Sequence, residues 1–318
     1  MRSIGFVKSK KNNEKRLAIS FKDLEKIKHK EMVFFEKNYF SDFKISDDRL
    51  KELGFNVVDF DEVIKKDIIC DPKIGDSDYV STLRRGTIIW GWIHAVQNKD
   101  ITEKIVKNKL TAIAWEEMYE EGKHSFWRSN ELAGEAAIIH AYSIYGKLPY
   151  DTKVALIGKG NTAKGALTTL VRLGANVDIF DRKLESVLRK NICDYDVIVN
   201  CVLWDTSRKD HIVSRVDLKR MRNDSMIVDI SCDKHGGIET SIPTSLENPT
   251  YYCENVLHYV VDHTPTILYK AATNSISKVI IRHIDNLIAG NENTIIKKAT
   301  IINKGEIIDN KILEYQKR

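Results

Sequence analysis

Short apolar runs alternate with helix-spaced patterns through the first third of the chain. Residues 4–7 read as a strand, residues 21–27 place Phe21, Leu24 and Ile27 at helical intervals, and residues 32–35 read as a second strand. A short helix over 47–53 is closed by Gly54, the usual left-handed stop. Val57-Val58, Ile68-Ile69, 87–90 and 111–115 predict further buried strands, with a helix at 101–107. Strands that alternate with helices pair in parallel, which predicts α/β layers. A long helix over 130–146 follows, ended by Gly146 and Pro149. Residues 153–157 are then a strand, 161–173 an apolar helix capped by Gly174, and 176–181 the next strand. Strands at 197–201 and 226–230 continue the series, and a helix over 277–288 leads to a weak hairpin near 303–305. There is no internal repeat.

Length and composition narrow this picture. The 318 residues suit two domains or one large one. With 42% apolar and 30% charged residues, five prolines and 16 glycines, the chain is neither disordered nor collagenous. Fifty basic against 45 acidic residues give net +5, too mild for a dedicated nucleic-acid binder. No apolar run reaches the ~18 residues of a membrane span, and the first residues are charged too soon for a signal peptide. Cys70, Cys193, Cys201, Cys232 and Cys253 are odd in number and lack a C-x-x-C pair. They predict reduced thiols in the cytoplasm, with no disulfide framework and no metal site.

The most informative segment is Gly158-Lys159-Gly160-Asn161-Thr162-Ala163, a G-x-G-x-x-A between a strand and a helix. Gly158 permits the tight turn, Gly160 lets a pyrophosphate approach the backbone, and Ala163 lets helix and strand pack closely. The free N–H groups of the helix start, at Asn161 and Thr162, favour the phosphates. Asp181 closes the following strand about 20 residues on, where it would accept hydrogen bonds from an adenosine ribose. Arg182 and Lys183 follow it and would instead neutralise the 2′-phosphate of NADP. The two adjacent cations favour NADPH, with NADH the alternative.

Several motifs, in order along nearly the whole chain, resemble the alanine dehydrogenase and pyridine nucleotide transhydrogenase family. They are Lys11-Asn12-Asn13-Glu14-Lys15-Arg16-Leu17-Ala18, Trp92-Ile93-His94-Ala95, Thr111-Ala112-Ile113-Ala114-Trp115-Glu116, Asp229-Ile230-Ser231-Cys232-Asp233-Lys234-His235-Gly236-Gly237 and Val256-Leu257-His258-Tyr259. The phrase Asp67-Ile68-Ile69-Cys70-Asp71-Pro72-Lys73 resembles a branch that condenses pyruvate with the side-chain amine of ornithine and reduces the imine with NADPH. The resemblance implies a substrate domain over 1–128, joined by 275–318, and a Rossmann-type nucleotide domain over 129–274. The substrate domain is then flavodoxin- or Rossmann-like, with a cleft between the two that closes around a hinge and excludes water.

On this reading Arg16 anchors the carboxylate of a 2-oxo acid, because a guanidinium meets a carboxylate with two parallel hydrogen bonds. Lys73 polarises its carbonyl or holds its carboxylate. His94, at the end of an apolar strand, is the candidate acid/base, since an imidazole takes and gives protons near neutrality. Asp233, with Asp229 as its competitor, orients the amine, the ribose or His94. Glu116 receives the cationic amine. Cys201, His263 and Thr264 join the cofactor-binding set, the last two near the nicotinamide. Trp90 reads as core; Trp92 and Trp115 are either core or a wall for a long amino-acid substrate. The expected function is an NAD(P)H-dependent, opine-type condensation of pyruvate with ornithine or lysine, by a homo-oligomer that binds small molecules and neither nucleic acid nor membrane. The alternatives are reductive amination of pyruvate with ammonia, and a non-catalytic nucleotide sensor.

Overall fold

Parallel strands covered by helices on both faces are buried on both faces, so they read as unbroken apolar runs of β-branched and aromatic residues. The computed structural model describes residues 1–205 and 208–318. The chain forms two units, Met1–Trp127 with Tyr269–Arg318, and Arg128–Leu268.

In the first unit β1 (Ile4–Phe6), β2 (Val33–Glu36), β3 (Asn56–Val58), β4 (Ile68–Cys70), β5 (Ile88–Gly91) and β6 (Thr111–Ala114) are all parallel. Their spatial order is β3-β2-β1-β4-β5-β6, so the chain reverses its course across the sheet between β1 and β4. The loops after these two strands part at that point and leave a crevice, where ligands bind in open α/β sheets. A small ribbon, β7 (Tyr119–Glu120) with β8 (Lys123–His124), follows. Phe6, Cys70, Trp90 and Trp115 pack with Ile276 and Ile280 of the helix Tyr269–Ile280. Ile69, Ile89 and Ala112 pack on the other face with Ile101 and Ile105.

The second unit contains β9 (Lys153–Ile157), β10 (Asn176–Phe180), β11 (Val197–Asn200), β12 (Met226–Asp229), β13 (Thr250–Cys253) and β14 (Val256–Tyr259). Their order is β10-β9-β11-β12-β14-β13, parallel except for β13. The course reverses between β9 and β11. Two helices, Trp127–Tyr145 and Asn161–Arg172, cross at Gly134 and Gly165. A Cβ on Gly165 would lie 1.9 Å from the Glu131 carbonyl oxygen, and one on Gly134 2.1 Å from that of Thr162. Two C-terminal strands extend the first unit's sheet, β15 (Thr300–Asn303) antiparallel to β6 and β16 (Glu306–Ile307) antiparallel to β15.

The expected two-domain α/β fold with parallel sheets holds. Three elements differ from expectation. Residues 21–27 give a 3₁₀ helix, Phe21–Lys26, without a side-chain cap; distant partners hold it, Ser277 Oγ donating to Asp23 Oδ2 at 2.6 Å. The helix expected over 277–288 is two, Tyr269–Ile280 and Ile284–Ala289. Between them His283 is buried with its Nδ1 3.1 Å from Asn293 Nδ2, a tertiary contact that periodicity does not show. The pair β13–β14 was legible only as a motif. Glu254 and Asn255 turn it with φ of 50° and 60°, as a two-residue hairpin demands.

Candidate functional site

In the first unit the crevice-facing loops follow β1, β4, β5 and β6. The loop after β1 turns back at Glu14, whose amide donates to the Lys11 carbonyl at 3.1 Å. Asn13, in the left-handed region at φ 59°, suits that turn. Beyond it Leu17 N donates to Thr273 Oγ1 at 2.9 Å, so the C-terminal helix braces the segment from behind. Arg16 is buried. Its Nε donates to Glu14 Oε1 at 2.8 Å and its Nη2 to Oε2 at 2.5 Å, a bidentate pair. Burial pushes the Glu14 carboxyl up; Arg16, followed by Lys73, more than offsets this and holds it below its usual range. Of the five N–H hydrogens on a guanidinium, Glu14 takes two and leaves three on the outer edge. Trp92 props the fork, its ring centroid 5.2 Å from Arg16 Cζ.

The loop after β4 is organised by Asp71. This fully buried carboxylate accepts the Lys73 amide and the Tyr79 hydroxyl, each at 2.8 Å, and the Ser77 hydroxyl at 3.3 Å. Desolvation dominates and pushes its pKa up to about 6. Lys73 is thereby fixed with its Nζ 3.5 Å from Asp76 Oδ2. Lys11 Nζ reaches the same oxygen at 2.8 Å. Burial opposes the ionised Asp76 carboxyl, but Lys73, Lys11 and His94 together draw its pKa down. Arg16 and Lys73 thus both act on Glu14, and Lys73 and His94 both act on Asp76.

His94 is exposed and takes a left-handed backbone, φ 54°, just past β5. That conformation costs a non-glycine residue about 1–2 kcal/mol. Glu116, from the loop after β6, holds it: its carboxylate accepts the His94 amide at 2.5 Å and the Ile93 amide at 3.2 Å. Glu116 therefore supports the His94 turn. Trp90 and Trp115 are fully buried, which places Trp115 in the core with Trp90. A separate concavity lined by Arg2, Asp67, Thr111 and Glu292 opens at the opposite, amino ends of the strands.

In the second unit Gly158 ends β9 with φ 115°, and its amide donates to the Phe180 carbonyl at 2.9 Å. A Cβ there would lie 3.3 Å from the Cys201 carbonyl, so the loops after β9 and β11 pass edge to edge. Nothing stands within 4 Å of where a Cβ of Gly160 would be. Asn161 opens a helix of 12 residues, and Ala163 is buried beneath it. An open glycine before free helix N–H groups fits a pyrophosphate. Asp181 Oδ2 accepts Lys159 Nζ at 2.7 Å and its Oδ1 the Lys183 amide at 3.0 Å. Arg182 and Lys183 are exposed.

Asp229, at the end of β12, is fully buried. It accepts Asn200 Nδ2 at 2.9 Å and the Ser231 amide at 3.2 Å, and also the Ser241 hydroxyl. Burial pushes its pKa up to about 6. Asp233 is half-buried, raised by desolvation despite a backbone hydrogen bond from Trp204. Of the two carboxylates, Asp229 ties β11 to β12 while Asp233 stands nearer solvent. Cys201 is largely buried, and burial with nearby Asp229 pushes its thiol well up, so it packs rather than reacts. Thr264 Oγ1 donates to the Ala133 carbonyl at 3.0 Å and so anchors its loop to the long helix. His263, φ 51°, has a side chain only 7% exposed, with both ring nitrogens lacking a hydrogen-bond partner. His94, Cys232 and His263 are all left-handed just past strand ends, where strained backbone clusters at functional sites.

Sequence reading missed the burial of Glu14 against Arg16, and missed Asp71 and Asp76. The first stood two residues from Arg16 inside a quoted motif; of the two that flank Lys73, Asp71 gave no signal of its burial and Asp76 is exposed.

A family model described as alanine dehydrogenase/PNT, N-terminal domain, matches residues 5–127, and one for the C-terminal domain matches 184–314. N(5)-(carboxyethyl)ornithine synthase of Lactococcus lactis subsp. lactis is 28% identical over 298 residues, covering 88% of this chain and 94% of that protein. Alanine dehydrogenase 1 of Staphylococcus aureus is 26% identical over 323 residues, covering 88% and 86%. Among solved structures, an L-alanine dehydrogenase superposes with TM-score 0.85 at 19% identity over 99% of both chains. A transhydrogenase from Sinorhizobium meliloti gives 0.79 at 18% over 96% of this chain and 99% of that one. Among the described residues no helix is long and apolar enough to cross a membrane. With both domain models matched in order, the chain belongs to the alanine dehydrogenase/PNT family.

Proposed function

We propose that this chain condenses pyruvate with the side-chain amine of ornithine or lysine and reduces the resulting imine with NADPH. The observation that carries it is the buried Arg16 fork, fixed by Glu14 with its outer edge left for a second carboxylate and Lys73 beside it. A guanidinium edge with a second cation near it suits the carboxylate and carbonyl of a small 2-oxo acid.

The outer N–H edge of Arg16 holds the oxo-acid carboxylate, and Glu14 and Trp92 keep the fork from turning. Lys73 faces the carbonyl oxygen and draws charge from the carbon the amine attacks. Loss of water from the carbinolamine needs a proton at the departing oxygen, and His94 supplies it, aimed by the Glu116-braced turn. When bound, the reduced nicotinamide supplies the hydride. The loop 158–163 carries its pyrophosphate, and Arg182 and Lys183 face the adenosine end. Asp233 orients the incoming amine, and His263 offers its Nε2 to the nicotinamide end. One pyruvate, one ammonium-form amine, one NADPH and one proton give a protonated secondary amine, NADP⁺ and water. We assign self-association to the exposed Ile139 and Ile144 of the long helix with nearby Leu148 and Tyr150.

NADPH oxidation with pyruvate and a panel of amines tests this. Turnover with ornithine or lysine, and none with ammonia, is expected. Turnover with ammonia alone would instead select the alanine dehydrogenase reading, which the likeness to the Staphylococcus aureus enzyme supports. Nucleotide binding without turnover on the whole panel would select a sensor.

A further inference from the structure

Lys159 sits between the two glycines of the nucleotide turn, and its side chain crosses to the end of β10. Its Nζ lies 2.7 Å from Asp181 Oδ2, while Asp181 Oδ1 accepts the Lys183 amide at 3.0 Å. Both carboxylate oxygens of Asp181 therefore already hold a donor. Each oxygen keeps a second lone pair that a ribose 2′-hydroxyl could use, so the donors offset the carboxylate's charge without closing it. A 2′-phosphate needs cations and is repelled by an uncompensated carboxylate. An ammonium has three donors, so Lys159 can keep one on Asp181 and turn two outward. The exposed side chains of Arg182 and Lys183 make no ion pair among the described residues. Three cations against one carboxylate leave two net positive charges around this strand end, the complement of a phosphate monoester's charge of about −1.5 to −2.

We propose that Lys159 is a specificity-determining residue: its ammonium bridges the Asp181 carboxylate and a 2′-phosphate on the adenosine ribose, which turns an acidic ribose site into a phosphate site. This rests on the reading of the second unit as nucleotide-binding. It assigns the selecting charge to the glycine turn itself, with Arg182 and Lys183 as the outer partners.

Titration calorimetry of the full chain with 2′-phosphoadenosine 5′-phosphate and with 5′-AMP, at one fixed ionic strength, tests it without any turnover. The wild type is expected to prefer the 2′-phosphorylated probe by about tenfold or more. Lys159→Ala should weaken that probe about 10- to 100-fold and leave 5′-AMP within about twofold. Lys159→Glu should abolish the preference, and Asp181→Ala should retain it. Lys159 is exposed, so these variants keep the fold. An unchanged ratio of the two probes in Lys159→Ala overturns the assignment and leaves the nucleotide reading intact. A wild type that binds both probes equally also overturns it. A wild type that binds neither overturns the nucleotide reading and this inference together.

Discussion

Removing the Arg16 side chain is expected to have two separable effects. The Glu14 side chain has 0% exposure and Arg16 only 5%, and the two are joined by two short hydrogen bonds. Arg16→Ala therefore strands an ionised carboxylate away from water. Breaking one side of a buried pair costs about 3–5 kcal/mol. Removing both partners costs less, because no charge is left behind. The double variant Glu14→Ala/Arg16→Ala should accordingly be more stable than Arg16→Ala alone by at least about 1 kcal/mol, against the additivity expected of independent sites. Urea unfolding followed by fluorescence of Trp90, Trp92 and Trp115, which lie in the same unit, reads this out. Arg16→Lys then isolates the fork. It keeps the charge and loses the planar edge, so KM for the 2-oxo acid should rise about 10- to 100-fold with nucleotide affinity unchanged. Strict additivity in the cycle would refute the buried-pair account. An unchanged KM in Arg16→Lys would refute the anchor.

Asp71 gives a pH signature. Its folded pKa of about 6 lies above the ordinary 3.8, so the folded state binds its proton more tightly. Its contribution is fully present below about pH 4 and is lost as pH rises through 6, a change of roughly 3 kcal/mol. The stability difference between wild type and Asp71→Asn, measured by urea melts from pH 4 to 7, should follow that slope; a flat difference contradicts it. Gly165→Ala places a methyl 1.9 Å from the Glu131 carbonyl and should cost about 1–3 kcal/mol, seen as a lowered melting temperature. Glu116→Ala releases the amides of Ile93 and His94; kcat should fall about tenfold or more with KM for the oxo acid little changed, whereas an equal rise in KM would make Glu116 a substrate ligand.

The strand runs and the glycine turn were legible because parallel strands and a phosphate loop impose their patterns locally. Asp181 and Arg182 likewise stood where a strand end must be. Glu14 was quoted in a motif, yet its burial against Arg16 depends on the course of a loop braced at Leu17 by Thr273, 256 residues on from Leu17. Asp71 illustrates the same limit: a carboxylate after a strand reads as a loop cap until Tyr79 and Ser77 close around it. Gly134 and Gly165 carry no local signal of their role; the crossing of their helices explains them.

The most direct test follows hydride to its destination. NADPH deuterated at the transferring position of C4 is incubated with the protein, pyruvate and ornithine, and the product is weighed and sequenced by mass spectrometry. The account predicts a secondary amine joining the two substrates, with one deuterium on the pyruvate-derived α-carbon. Deuterated alanine, deuterated lactate, or a joined product without deuterium would contradict it.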